Sequence, residues 1–152
     1  MTRFTRLIES VRSLAEPAPP ATRGQEVARL GLGTFMSFAG VSHLTFARKD
    51  FQAQVPDWFP IDKDVVVLAS GVVEVALGAA MLTLPQRRAA VGVALAAFYA
   101  AIFPGNISQY AERHDAFGLD TDTKRLVRLF GQPALIAAAL SAAGFPRRGS
   151  RR

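Results

Sequence analysis

The chain is 152 residues long and half hydrophobic, with 18 Lys and Arg against 12 Asp and Glu for a net charge of +6. That length supports one domain, and the absence of cysteine excludes dithiol catalysis, thiolate metal sites and disulfides. The positive charge does not point to nucleic acid, because the arginines flank long apolar blocks instead of covering a recognisable binding module.

Residues 1–16, MTRFTRLIESVRSLAE, lack the unbroken apolar stretch of about 7–15 residues that a cleavable signal needs. Phe4, Leu7, Ile8, Val11 and Leu14 instead recur at helical spacing among Arg3, Arg6 and Arg12. That pattern predicts a basic amphipathic helix lying on an anionic membrane surface. Pro17, Pro19 and Pro20 end it and form a stiff linker. The first apolar span is expected over about 26–46, with Glu26 and Arg29 at its interfacial end. Gly33, Ser37 and Gly40 share one face of it, and His43 continues their stripe. Small residues so placed let helices approach closely.

A loop follows, ARKDFQAQVPDWFPIDKD, in which Trp58 and Phe59 beside charges suit the headgroup region. The second span, about 65–84, reads VVVLASGVVEVALGAAMLTL and holds one charge, Glu74, at its centre. Twenty residues at about 1.5 Å each match a bilayer's hydrocarbon core. A basic turn at 85–88 leads to a third span, about 89–104, in which Gly92, Ala96 and Ala100 form a close-packing stripe. A polar loop from about Gly105 to Lys124 precedes the fourth span, about 125–145, where Pro133 is a candidate kink. The predicted fold class is therefore all-α, a four-transmembrane-helix bundle with an N-terminal amphipathic segment. Residues 1–24 form the amphipathic segment and linker, 25–146 the membrane domain, and 147–152 a basic tail.

Orientation follows from the basic residues. The N-terminal segment through Arg29, the 85–88 turn and the tail hold eleven basic and three acidic residues, whereas the two long loops, counted through Arg128, hold seven basic and eight acidic. The positive-inside rule places both termini in the cytoplasm of a multi-pass cell-membrane protein.

A carboxylate at mid-membrane depth is expensive and marks a protein interior or a water-filled cavity. Counting about 1.5 Å per residue from the outer ends puts His43 roughly 5 Å deep, Ser70 roughly 8 Å, Gln132 roughly 10 Å and Glu74 roughly 14 Å. Asn106 and Arg128 fall near the outer boundary. Ser70 and Glu74 are i, i+4 on one helix; Arg128 and Gln132 are i, i+4 on another. These six residues predict a polar pocket in the outer half of the bundle. Plainer readings stand beside this one, with Glu74 as helix glue, His43 as a satisfied interfacial residue, Gln132 and Asn106 as helix caps or bridges and Arg128 as a snorkelling side chain; Tyr99 is expected to pack within the bundle. No metal set is expected: His43 and His114 lie far apart in the chain, and no histidine pair has helical ligand spacing. No nucleophile–base–acid triad is visible.

Five stretches, FAGVSHLTF at 38–46, VPDWFP at 55–60, SGVVEVALGAAML at 70–82, FPGNI at 103–107 and RLFGQ at 128–132, together resemble DoxX-like membrane proteins over about Phe35 to Leu140. The resemblance implies a four-span bundle and a small subunit of the kind linked to quinone-dependent sulfur oxidation and to redox assemblies. Its recurring polar positions fall on His43, Glu74, Asn106, Arg128 and Gln132. Gly105 and Phe130-Gly131 depart from the pattern, where Ala and Pro-x are common. The expected role is a non-enzymatic membrane subunit that binds a quinone- or lipid-like ligand, with quinone the candidate cofactor. The bilayer, a membrane redox complex or a second copy of the chain are the expected partners. Transport of a proton or small solute, or a purely structural assembly role, are the alternatives.

Overall fold

The computed structural model describes residue 12 and residues 14–145. The expected amphipathic segment lies largely, and the 147–152 tail wholly, outside the described residues. Among the described residues the structure is all-helical, with no strand. Its elements are α1 (Arg23–Leu44), a short α2 (Arg48–Gln52), α3 (Lys63–Thr83), a 3-10 turn (Pro85–Arg87), α4 (Arg88–Ala111) and α5 (Asp122–Ala143). Among the described residues three stretches are long and apolar enough to cross a membrane: Lys63–Thr83, Pro85–Ala111 and Asp122–Ala143. Helix α1 is as long, but Arg29 and His43 interrupt its apolar run.

The helix starts are written in the sequence. Thr22 and Gln25 form a reciprocal capping box at α1, with backbone-to-side-chain bonds of 3.0 and 3.3 Å. Asp62 accepts from the amides of Asp64 and Val65 at the start of α3, and Thr121 accepts from that of Lys124 at the start of α5. Each cap satisfies amides that have no partner inside the helix. Helix α5 ends at Gly144, whose φ of 93° is the left-handed cap that glycine adopts without strain.

Helix α1 packs along α3 and α4 along α5; α1 meets α5, and α3 meets α4 less extensively. Glycines set the first contact. A Cβ at Gly40 would lie 2.6 Å from the Gly71 carbonyl oxygen, and one at Gly78 would lie 2.6 Å from the Ser37 amide nitrogen. The backbones of α1 and α3 therefore touch as the small-residue stripe predicts. Gly92 does the same for α4 and α5, where a Cβ would meet the Ala139 oxygen at 2.8 Å. Leu32, Met36, Met81, Leu95, Ala96, Ala139 and Ala142 fill the space between the two pairs as one buried apolar cluster, with Tyr99 at its edge.

Three features differ from the sequence reading. Helix α4 does not give way to a loop near Gly105 but runs through Pro104 to Ala111. A proline forfeits one backbone bond, but Asn106, Ser108 and Gln109 beyond it are buried. Asn106 and Gln109 also bond to neighbouring elements, which holds the added turns. Arg29 and Arg88 do not face outwards but are buried against other helices, at 5% and 3% exposed. Arg29 donates to the carbonyls of Met81 and Leu82 at the end of α3. Arg88 donates to Ala142 O at the end of α5 and to Pro19 O in the linker, both at 2.8 Å. Each guanidinium sits where a helix presents unpaired carbonyls and the negative end of its dipole. The loop after α1 carries the short α2, and Val55 within that loop is buried.

Candidate functional site

Glu74 lies midway along α3 and is 4% exposed. The glycine contact one turn away explains its neighbour. A Cβ at Gly71 would lie 2.8 Å from the His43 Cβ, so only glycine there lets His43 reach the face of α3 that carries Glu74. His43 Nδ1 stands 3.0 Å from Glu74 Oε2 and 2.8 Å from the Ala39 carbonyl oxygen. A carbonyl only accepts, so Nδ1 carries a hydrogen that is committed to Ala39. Glu74 Oε2 is consequently buried without a hydrogen bond.

A second polar tie joins α4 to α5. Asn106 Nδ2 donates to Gln132 Oε1 at 3.0 Å, and Gln132 Nε2 donates to the Tyr99 carbonyl at 2.6 Å. Gln132 is fully buried. Pro104 interrupts the backbone ladder in this part of α4, and the glutamine gives a nearby carbonyl an outside donor. The Tyr99 hydroxyl is buried with no partner. Arg128 is half-buried. Among the described residues its guanidinium makes no hydrogen bond or ion pair, and it interacts electrostatically with Glu74 and Tyr99.

Two cavities meet at this cluster. One, of about 190 Å³, lies between α3 and α4 under the loop after α1, with His43, Ser70, Glu74 and Asn106 in its wall. The other, of about 490 Å³, lies between α1 and α5 and is walled by His43, Glu74, Tyr99, Arg128 and Gln132 with Phe35 and Phe38. His43, Phe51, Gln54, Glu74 and Ile102 border both. Ser70 and Arg128 thus lie on opposite sides of the His43–Glu74 pair, and the Ser70 hydroxyl is bonded to Val67 O of its own helix.

The two long loops close over the cluster. His43 stacks on Phe51 at an interplanar angle of 17°, and Phe51 meets Phe117 at 4.5 Å between ring centroids. Gln54 Nε2 donates to Gln109 Oε1 at 3.0 Å, and His114 Nδ1 lies 3.0 Å from Ala53 O. Arg125, 5% exposed, pairs with Asp115 and Asp122 and so ties the second loop to the start of α5. At the rim, Asp57, Glu112 and His114 each offer one ligand-type atom within 4.8 Å of the others. Asp57 is already paired with Lys63 there, and that ammonium holds the Asp57 carboxyl below the usual carboxylate range.

All six residues singled out in the sequence line one or both cavities. Tyr99, Gln109, Arg29 and Arg88 escaped that reading. A signal existed for two of them. Tyr99 is the one hydroxyl in AAVGVALAAFYAAIF and lies seven residues, two turns, before Asn106. Arg29 lies one turn before Gly33 on the same small-residue stripe. Arg88 and Gln109 carried no such pattern.

The sequence model of one family, described as Domain of unknown function (DUF8561), matches residues 32–143. No curated protein and no solved structure matches the chain. The matched stretch contains all six residues and Tyr99.

Proposed function

This chain belongs to the DUF8561 family, and we propose that it is a four-span helical membrane protein, on the DoxX-like plan, that binds a lipid- or quinone-like ligand beside Glu74. The outward side chains support the membrane setting. Phe35, Phe38, Val41 and Phe46 on or beside α1, Val72 and Val73 on α3 and Val127 and Phe130 on α5 are all exposed. So many exposed large apolar side chains on three helices suit a non-aqueous surrounding. In this reading α1 is the fourth span, its Arg29 paid for by the carbonyls it caps, and both termini face the cytoplasm of the cell membrane.

One observation supports binding above the rest. Glu74 Oε2 and Tyr99 Oη are both buried and unpartnered, and both residues wall the same largely apolar cavity beside an unpaired Arg128. Unmet polar groups are rare in a finished core and disfavour the empty site by roughly 1–3 kcal/mol each. A ligand that supplies the missing partners recovers that free energy. The exposed rings of Phe35 and Phe38 at the cavity wall suit entry from the bilayer, with the tail left among lipid.

Transport finds less support. The packed cluster around Met36, Met81, Leu95 and Ala142 lies between the cavities and the Arg29 and Arg88 end, so no polar route continues past Tyr99. A purely structural role for Glu74 leaves the missing hydrogen bond at its Oε2, which has only the His43 ring beside it, unexplained.

The test is a thermal-shift titration of the purified protein in neutral detergent with short-tailed quinols and long-chain alcohols. A saturable rise in Tm is expected for the native chain, and its loss in Ala39→Leu, which narrows the cavity between α1 and α5. Equal, unsaturable shifts in both proteins would refute binding there.

A further inference from the structure

We infer that the ligand's head is neutral and carries a hydroxyl group, which donates to Glu74 and accepts from Tyr99 and Arg128. This rests on the proposed binding site and specifies what that site selects. The donor and acceptor inventory leads to it. His43 Nδ1–H is committed to Ala39 O, so Glu74 Oε2 is an acceptor that lacks a donor. The Tyr99 hydroxyl and the Arg128 guanidinium are donors that lack an acceptor. Gln132 does not fill the gap: its hydrogen bonds run to Asn106 and the Tyr99 carbonyl, and none reaches Glu74 Oε2 or the Tyr99 hydroxyl. A head that only accepts, such as an ether, leaves Glu74 unmet. A head that only donates, such as an ammonium, leaves Tyr99 and Arg128 unmet. An O–H group both donates and accepts, and so serves both sides.

Charge selects in the same direction. The cavity between α1 and α5 sets one carboxylate, Glu74, against one guanidinium, Arg128, with the His43 imidazole 3.0 Å from the carboxylate. An anionic head would leave a net negative charge in a poorly solvated space, and a cationic head a net positive one. Both are unfavourable where water is scarce. A neutral head keeps the balance. The rest of the wall, with Phe35, Met36, Phe38 and Leu135, suits an alkyl or aryl body. The volume of about 490 Å³ is within the usual range for a small-molecule site.

Three probes with one body separate the possibilities at pH 7: para-decylphenol, para-decylanisole and para-decylbenzoate. They are neutral with an O–H, neutral without one, and anionic. Affinity is read by saturable thermal shift of the full-length protein in neutral detergent. The phenol should bind at least about tenfold more tightly than either of the others, the effect of one hydrogen bond to a charged acceptor. In Glu74→Gln the phenol's advantage over the anisole should shrink several-fold, and the benzoate should gain, because the carboxylate that repels it is gone. Tyr99→Phe should weaken phenol and anisole alike, and serves as the test if Glu74→Gln does not fold. Equal binding of anisole and phenol, or tightest binding of the benzoate, would overturn this inference and leave the binding site standing. Failure of all three probes to give a saturable shift would overturn the site itself.

Discussion

At the level of single residues, the buried polar groups divide into those that are satisfied and those that are not, and mutation should separate them. Gln132 bridges Asn106 and the Tyr99 carbonyl, so Gln132→Leu strands two groups. It should destabilise the protein by about 2 kcal/mol or more in denaturant unfolding from mixed micelles. Tyr99→Phe removes a hydroxyl that has no partner. It should leave stability unchanged or raise it by up to about 1 kcal/mol while weakening ligand binding. A loss of stability in Tyr99→Phe as large as that in Gln132→Leu would mean that the hydroxyl serves the fold and not a ligand. Glu74→Gln preserves shape and hydrogen-bonding capacity, so the protein should still assemble with an unchanged elution volume in detergent.

At the level of the helices, glycine position decides which substitutions are tolerated. Gly31 and Gly40 lie on the same helix. A Cβ at Gly31 meets nothing within 4 Å, whereas one at Gly40 meets the backbone of α3 at 2.6 and 2.7 Å. Gly31→Ala should therefore stabilise by up to about 1 kcal/mol through helix propensity. Gly40→Ala should destabilise by about 1–3 kcal/mol because the obstructing atoms are backbone. The same change should weaken ligand binding, since moving α1 away from α3 separates His43 from Glu74. The pairs of Arg29 and Arg88 with helix ends act at this level too. They anchor the ends of α3 and α5 opposite the loops, while the aromatic and amide contacts of Phe51, Gln54 and Gln109 hold the other end closed.

For the molecule as a whole, the proposed topology and the outer rim give two measurements. The chain has no cysteine, so single cysteines report sidedness directly. In intact cells an impermeant maleimide should label a cysteine at Asp120, in the loop before α5, and spare one at Gln86, in the turn before α4. The reverse pattern would invert the orientation. The rim also responds to acid. Lys63 lowers the Asp57 carboxyl by hydrogen bonding and by charge, and Lys124 does the same for Asp120. A carboxyl lowered in the folded state contributes stability that is present above its unfolded value of about 3.9 and is lost as pH falls through the lower folded value. Both carboxyls are exposed, so the effect is local and small. Trp58, the single tryptophan, stands next to Asp57. Its fluorescence should titrate with a midpoint below about 3.9, and the midpoint should rise towards that value in Lys63→Gln.

Much of this organisation is legible in the chain because it rests on local chemistry. Apolar runs as long as a bilayer is thick and the small-residue stripe at Gly33, Ser37 and Gly40 each depend on neighbours within a few residues. So does the choice of polar candidates, because a lone Glu74 in an apolar helix is conspicuous wherever the helix packs. Other features depend on which faces meet. Helix spacing places Ser70 with Glu74 and Arg128 with Gln132, but says nothing about His43 standing 3.0 Å from Glu74 or Asn106 standing 3.0 Å from Gln132. The extension of α4 past Pro104 is decided in the same way, by partners on α5 and in the loop after α1. Arg29 and Arg88 read as interfacial from their positions in the chain, and only the ends of α3 and α5 brought against them make them buried caps. Whether a buried polar group is satisfied is likewise a property of its distant neighbours: packing gives Gln132 its partners and leaves the Tyr99 hydroxyl facing a cavity without one.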